Sequence, residues 1–398
     1  MKSYWLYLLL AAVVIAGACS NDNDPEADKA NFTRIYDNRL YNASFEPLAI
    51  AQTADGGYLT LARRNIPNSN FAGAYIMKTD DLGALVTELA LDDSFLHPVG
   101  DLMELNGNYY FFCMSSTGFQ SQLVEVSAAG ELLQVLPVGS SYPLAAAFDN
   151  GNFVLLSYDN LSKESIISVV TPTGSIATAQ GFTIGAGDAV EEPIINHFIR
   201  TGRQYPFQVG KTTSGLYFFN GFYNYTFSLV FSDLSGANPN GVIQGQQDDG
   251  GMTTVQQLTG NTFAAARFNF GANYFLPQIG LNTSGISSAV DLGGFTLPEL
   301  VSNAPVRILK TTINEQPVLI FASNTLSRQI GLFIYDQATG EFLGSKYLGF
   351  SNPYEVAQVS PTADGGVVVS GSTFVAGRFQ RVCIFKISPA ALAEVIWH

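Results

Sequence analysis

Catalysis and metal binding need ionisable or nucleophilic side chains in set spacings, and this chain offers few. Charged residues make up 13% of its 398 positions, with three His and three Cys. His97 precedes Pro98, His197 lies in a long insertion from Asp188 to Pro206, and His398 ends the chain, so no pair has the i, i+3 or i, i+4 spacing of a His-built metal site. No Gly-x-Ser-x-Gly elbow or phosphate-binding glycine loop with its strand and helix context occurs. Asp248-Asp249-Gly250-Gly251 lacks the alternating acidic ligands of a calcium loop and reads as a turn. Cys113 and Cys383 sit in apolar stretches, as small core residues do. Asp188, Glu191 and Glu192 are the only acids spaced for a glycan-cleaving pair. The chain is therefore expected to have no metal, no cofactor and no catalytic residues, which leaves recognition.

Recognition would fall to arginine and aromatic residues. Of eleven Arg, seven (Arg63, Arg64, Arg200, Arg203, Arg267, Arg328 and Arg378) fall in segments between apolar strands, near Tyr223, Tyr225, Phe268 and Tyr274. Guanidinium groups are planar donors to carboxylates, and aromatic faces stack on sugars or anchor peptides. The alternative is that these Arg pair with Asp159, Asp188, Glu191 and Glu192 while the aromatics fill the core. The net charge of −14 excludes nucleic acid as an expected partner.

The elements that position these residues follow from repetition. Thr53-Ala54-Asp55-Gly56-Gly57-Tyr58 recurs as Thr362-Ala363-Asp364-Gly365-Gly366-Val367, each between two short apolar strands. Asp-Gly and Gly-Gly supply the positive φ of a tight hairpin. Related turns at Asn106-Gly107, Asn150-Gly151, Ser214-Gly215, Gly260-Asn261 and Asn314-Glu315 complete a series of seven, about 50 residues apart. A second series follows in phase at Asp80 to Gly83, Ala128 to Gly130, Pro172 to Gly174, Asp233 to Gly236, Asn282 to Gly285, Asp336 to Gly340 and Ser388 to Ala391. Two turns per unit, with a strand on each side, mean four strands. The reading is an all-β, seven-bladed β-propeller of four-stranded antiparallel blades; two β-sandwiches are the alternative. Phe32 to Tyr36 and Glu394 to Trp397 are both in phase as outermost strands, so the N- and C-terminal strands would pair and close the ring. In such a ring the loops between second and third strands share one face with the loops between blades, and all seven Arg would lie there.

The two Thr-Ala-Asp-Gly-Gly boxes, with Ile76-Met77-Lys78-Thr79-Asp80 and Ile384-Phe385-Lys386-Ile387-Ser388 after them, resemble the T-x-D-G-G-Y … I-K-x-D repeats of bacterial surface β-propellers. That resemblance implies a fold and a location, not an activity. Lys2 and the apolar run Tyr4 to Ala18 are too short to span a bilayer, for which roughly 20 residues are needed, and read as a secretory signal. Ala16-Gly17-Ala18-Cys19 resembles the lipobox of bacterial lipoproteins, with Ala16 where Leu is more usual; an ordinary secreted protein is the alternative. Ser20 to Ala30 is polar and acidic, as a flexible tether would be, and resembles the surface-export signal of Bacteroidota lipoproteins.

The sequence thus divides into a signal peptide (1–18), a tether (19–30) and a propeller (31–398). The expected function is a non-catalytic lipoprotein of the outer membrane, facing the cell exterior and binding a glycan or a partner protein. The alternatives are a fixed accessory subunit of a nutrient-uptake or protein-export complex and a glycan-cleaving enzyme. Because a lipid on Cys19 would be its membrane anchor, Cys19→Ala is expected to move the protein into the soluble fraction. Mutant protein that stays with membranes through a carbonate wash would refute the anchor.

Overall fold

The computed structural model describes residues 30–37, 43–375 and 379–396. Cys19, most of the tether, Arg378, Trp397 and His398 lie outside them. Strand β1 (Phe32–Ile35) is followed by a meander of β2 (Phe45–Gln52), β3 (Tyr58–Asn65), β4 (Ala72–Thr79) and β5 (Leu85–Ala90), each antiparallel to the one before. The next meander holds β6 (Phe95–Leu105), β7 (Asn108–Ser115), β8 (Gln120–Val126) and β9 (Leu132–Ser141), joined to the first by one pair, Gly73 with Leu96. A third holds β10 (Pro143–Asp149), β11 (Asn152–Asp159), β12 (Glu164–Val170) and β13 (Ile176–Thr183).

Helix α1 (Asp188–Phe198) then precedes β14 (Gln208–Lys211), β15 (Tyr217–Tyr223), β16 (Thr226–Ser232) and β17 (Gly241–Gln244). The following sheet holds β18 (Gly250–Thr259), β19 (Thr262–Asn269) and β20 (Ala272–Gly280). Strand β21 (Ile286–Ser288) crosses back to pair parallel with β17, and the two-residue β22 (Phe295–Thr296) takes the fourth place beside β20. Then come β23 (Val306–Ile313), β24 (Gln316–Asn324), β25 (Ile330–Asp336) and β26 (Phe342–Leu348), and last β27 (Tyr354–Pro361), β28 (Val367–Val375) and β29 (Phe379–Ile387). The fold is all-β, built mainly of four-stranded antiparallel sheets. The parallel β21 and the helix in the insertion depart from the expected pattern.

Local chemistry explains the hairpins. Asn106-Gly107, Asn150-Gly151 and Asn314-Glu315 have positive φ at both residues, the conformation of a two-residue hairpin turn. In the two Thr-Ala-Asp-Gly-Gly boxes the aspartate organises the turn. Asp55 Oδ1 accepts from Gly57 N (3.0 Å), Thr53 Oγ1 (2.5 Å) and the buried Lys78 Nζ (2.8 Å), which arrives from β4. The bonds from Lys78 and Thr53 draw the Asp55 carboxyl down to about 2. Asp364 repeats this with Gly366 N (3.0 Å), Thr362 Oγ1 (2.6 Å) and buried Lys386 Nζ (2.9 Å) from β29. The repeat spacing therefore carries a second-strand turn and a third-strand lysine as one unit.

Most hydrophobic clusters lie between neighbouring sheets, while the largest also gathers Ile66, Leu96, Met114 and Phe268 around Ile194 and Phe198 of the insertion. Leu59 and Ile76 meet Phe111 and Val124, and Phe111's neighbour Phe112 meets Phe153 and Leu155 in the next cluster. The same pattern continues along the chain, and Tyr58, Tyr75 and Met77 of the first meander pack on Val368, Val382 and Ile384 of the last sheet. Strand β1 pairs antiparallel with β29, from Phe32 opposite Lys386 to Ile35 opposite Cys383, as the phase of Phe32 to Tyr36 anticipates. Cys113 and Cys383 are buried free thiols.

The C-terminus differs from expectation. Residues Pro389–Ile396 form helix α2 instead of a strand. Ser388 Oγ accepts from Ala391 N (3.1 Å), so Ser-Pro supplies an N-cap and a first-turn proline, and Ala, Leu and Glu favour helix. With β1 already on the outer edge of β29, that edge has no place for another strand.

Because Lys78 is buried and Asp55 mostly exposed, the two partners are not equivalent. Asp55→Asn leaves a buried ammonium without its counter-ion and is expected to lower stability by roughly 1 to 2 kcal/mol, the low end because solvent screens the pair. Lys78→Met removes the buried charge itself and is expected to cost less. Urea unfolding of both variants checks the order.

Candidate functional site

Two adjoining cavities of about 280 Å³ each lie where the sheets' first strands converge. One is lined from β2, β6, β10, β14, β18, β23 and β27, for example by Leu48, Asp101, Ala145, Gln208, Gln256 and Gln358. The other adds Glu46, Arg203, Phe268 and Glu355. Arg63, His197, Tyr205 and Arg307 line both.

The insertion around α1 covers this region because its apolar residues have a bed to enter. Ile194, His197 and Phe198 are buried, while Asp188 and Glu191 sit in the first turn, where the helix dipole favours them. Phe198 packs on Tyr142 (centroids 5.3 Å apart) and on His97 (4.7 Å). Arg200 N donates to Asn70 O (2.8 Å), and Gln204 Oε1 accepts from Arg63 Nη1 (3.1 Å). Tyr205 enters an aromatic group with Phe207, Phe222 and Phe227. One segment thus touches the first, second and third meanders and, through Arg203 to Asp248 (3.2 Å), the approach to β18.

Burial sets the electrostatics. His97 and His197, a hundred residues apart in sequence, have ring centroids 5.3 Å apart. Desolvation, then the Arg63 charge, holds both imidazoles well below their ordinary value. His197 Nδ1 accepts from Tyr205 N (3.0 Å), which fixes a neutral tautomer. Asp101 faces the cavity, where it stays accessible to solvent and accepts from Gln358 Nε2 (2.9 Å); partial desolvation by the surrounding protein pushes its carboxyl up against the opposing pull of Arg307. Glu355 keeps an exposed side chain, and partial desolvation, then the Glu46 charge, raises its carboxyl. Burial lowers the Arg307 guanidinium; Asp101 offsets part of that and Arg63 adds to it.

The sequence-derived candidates occupy several environments. Arg63 lines the cavities, 3.5 Å from Glu46. Arg64 turns away to Asp93 (2.9 Å). Arg203 pairs with Asp248 and Asp249 and stacks on Tyr205, its Cζ 4.7 Å from the ring centroid. Arg267 is buried, with Nε donating to Gly293 O (2.7 Å) and Cζ 3.7 Å over Tyr274, so it ties β19 to the loop before β22. Arg200 and Arg328 are exposed and make no ion pair with a described residue. Phe268 is buried at the cavity wall, Tyr223 packs edge-on to Phe182, and Tyr225 is exposed. None of these Arg pairs with Asp159, Asp188, Glu191 or Glu192; Glu191 instead accepts from Lys163 (2.6 Å) and Tyr158 (2.8 Å).

Sequence reasoning passed over Arg307, Asp101, Glu46 and Glu355. The available signal was a charged residue inside an apolar first strand, as in Val306-Arg307-Ile308-Leu309, where a sheet's inner edge would otherwise hold apolar or neutral side chains.

The chain matches no protein-family model and no curated protein. Among solved structures it is similar to a protein of unknown function from Bacteroides caccae, at 13% identity over 77% of this chain and 94% of that one, with a TM-score of 0.43. It is also similar to a candidate 6-phosphogluconolactonase from Bacteroides fragilis, at 10% identity over 89% and 98%, with a TM-score of 0.47.

The neutral histidine pair makes stability depend on pH. Below about pH 6.5 the unfolded chain takes up protons at His97 and His197 that the folded chain refuses, so stability is lost as pH falls through that value. The loss reaches at most about 1.4 kcal/mol per pH unit for each histidine. Urea midpoints are expected to fall between pH 7.5 and 5.5, and His197→Asn is expected to flatten that fall. An equally steep dependence in the variant would show that other groups cause it.

Proposed function

We propose that the protein is a seven-bladed β-propeller, closed by β1 on the last sheet, displayed as a lipoprotein on the outer face of an outer membrane, and that it binds a glycan or a protein rather than catalysing a reaction. The ring reading is supported by seven meanders with an apolar cluster between successive members and another between first and last. Its hub would be the cavity lined by all seven first strands.

The binding reading rests on one observation. Leu161, Tyr225, Phe270 and Leu326 occupy loops between the second and third strands of four successive meanders, and Phe350 a loop between meanders; all are 50% to 88% exposed. In a ring these loops share a face, the one carrying Arg63, Arg200, Arg203 and Arg328. Tyr225 and Phe270 also hold positive φ (73° and 45°), a conformation that favours Gly or Asn. Bulky residues held outward at such tips suit contact with a partner surface.

The test uses the full lipoprotein in mild detergent and a Tyr225→Ser, Phe270→Ser, Leu326→Ser variant. Both are applied to immobilised surface polysaccharide and outer-membrane protein fractions of the producing cells. Because the three side chains are exposed, the variant is expected to keep its melting temperature and to lose binding about tenfold or more. Equal binding by the variant would overturn the loop face as the site, and a membrane protein co-purifying at fixed stoichiometry would favour the accessory-subunit reading.

A further inference from the structure

Beneath that face, Arg63 and Arg307 carry more cationic character into the cavities than their protein partners use. Arg307 Nε donates to Ala357 O (2.6 Å), but no described carboxylate is ion-paired with its guanidinium. Arg63 has one long contact to Glu46 (3.5 Å), and its buried Nε has no hydrogen-bond partner among the described residues. The two guanidinium groups line the same two cavities and are close enough to repel each other. Two like charges held together in protein are costly, and an anion between their terminal nitrogens reduces the repulsion.

The surroundings narrow the anion. Glu46, Asp101 and Glu355 also line the cavities, and a doubly charged phosphate would be repelled by them more than a single carboxylate. Carboxyl groups accept from hydroxyls, while Tyr205, Pro206, Phe268 and Leu48 supply an apolar wall. At about 280 Å³ each, the cavities suit a ligand of monosaccharide size.

We infer that these cavities bind a small hydroxylated monocarboxylate, a sugar acid, with its carboxylate shared between Arg63 and Arg307. This site is separate from the loop tips and stands or falls without them.

Isothermal titration of the full lipoprotein in mild detergent with D-glucuronate, D-galacturonate, D-glucose and inorganic phosphate tests the inference. At least one uronate is expected to bind, more tightly than glucose and phosphate by about tenfold or more, and more weakly as salt is raised. Arg307→Met and Arg63→Gln should each weaken that binding about tenfold or more; Arg63→Gln serves if loss of the Ala357 contact unfolds the first variant. No heat from either uronate up to about 10 mM, equal binding of glucose, tighter binding of phosphate, or undiminished binding by the folded variants would overturn it. The Tyr225, Phe270 and Leu326 triple variant is expected to bind uronate as the wild type does, which separates failure here from failure of the loop-face reading.

Discussion

The sheets of this protein hardly hydrogen-bond to one another through their backbones, so the inner edge of every sheet needs another source of partners. Side chains from the neighbouring sheet supply them. Gln208 bonds both Val255 N and Val255 O (2.9 Å each), Gln358 accepts from Ile50 N (2.6 Å), and Ser360 donates to Ile50 O (2.9 Å). Arg307 reaches Ala357 O, Asn220 reaches Met252 O (2.8 Å), and Asn324 accepts from Val356 N (2.7 Å). An unpaired edge is otherwise a site for aggregation, and its buried amides carry a desolvation cost. Long amide and guanidinium side chains satisfy these edges without drawing the strands into one continuous ladder. The space left between the first strands is the cavity.

That space would be open on the insertion side without the α1 segment. The segment stays because Phe198 packs on Tyr142 and His97, His197 on His97, and Tyr205 on Phe222 and Phe227, and because Gln204 and Arg203 bond outward to Arg63 and Asp248. Aromatic contacts at these distances are directional as well as apolar. Neutral imidazoles suit the position: a second charge beside Arg63 would meet both repulsion and desolvation. The site is therefore polar at its centre and apolar in its supports, so substitutions in the bed are expected to act on the cavity through α1.

The first and last units share a device that the middle units lack. In each, a buried lysine from the third strand reaches the turn aspartate between the first two. These two units also meet through Tyr58, Tyr75, Val368 and Ile384, with Arg381 of β29 bonded to Asp37 just beyond β1 (2.9 Å). The strongest repeat chemistry therefore stands at the junction of the chain's beginning and end, where sequence separation makes pairing entropically hardest.

The seven hairpin turns, the four-strand rhythm and the in-phase N-terminal strand were legible from the chain because each depends on neighbours in sequence: positive φ at Asn-Gly or at the first glycine of Gly-Gly, alternation, and spacing between turns. The C-terminal segment was expected as a strand from its phase, and the structure makes it a helix begun by Ser388-Pro389. What only the tertiary structure decided is which distant residues meet. His97 lies beside His197, Arg307 faces the same cavity as Arg63 and Asp101, and Arg267 stacks on Tyr274 and is bonded away from solvent. Local rules assign a residue to a strand or a loop, but charge, burial and partner are properties of the packed whole, set by how the sheets pack around the cavity and by what the α1 segment lays over it.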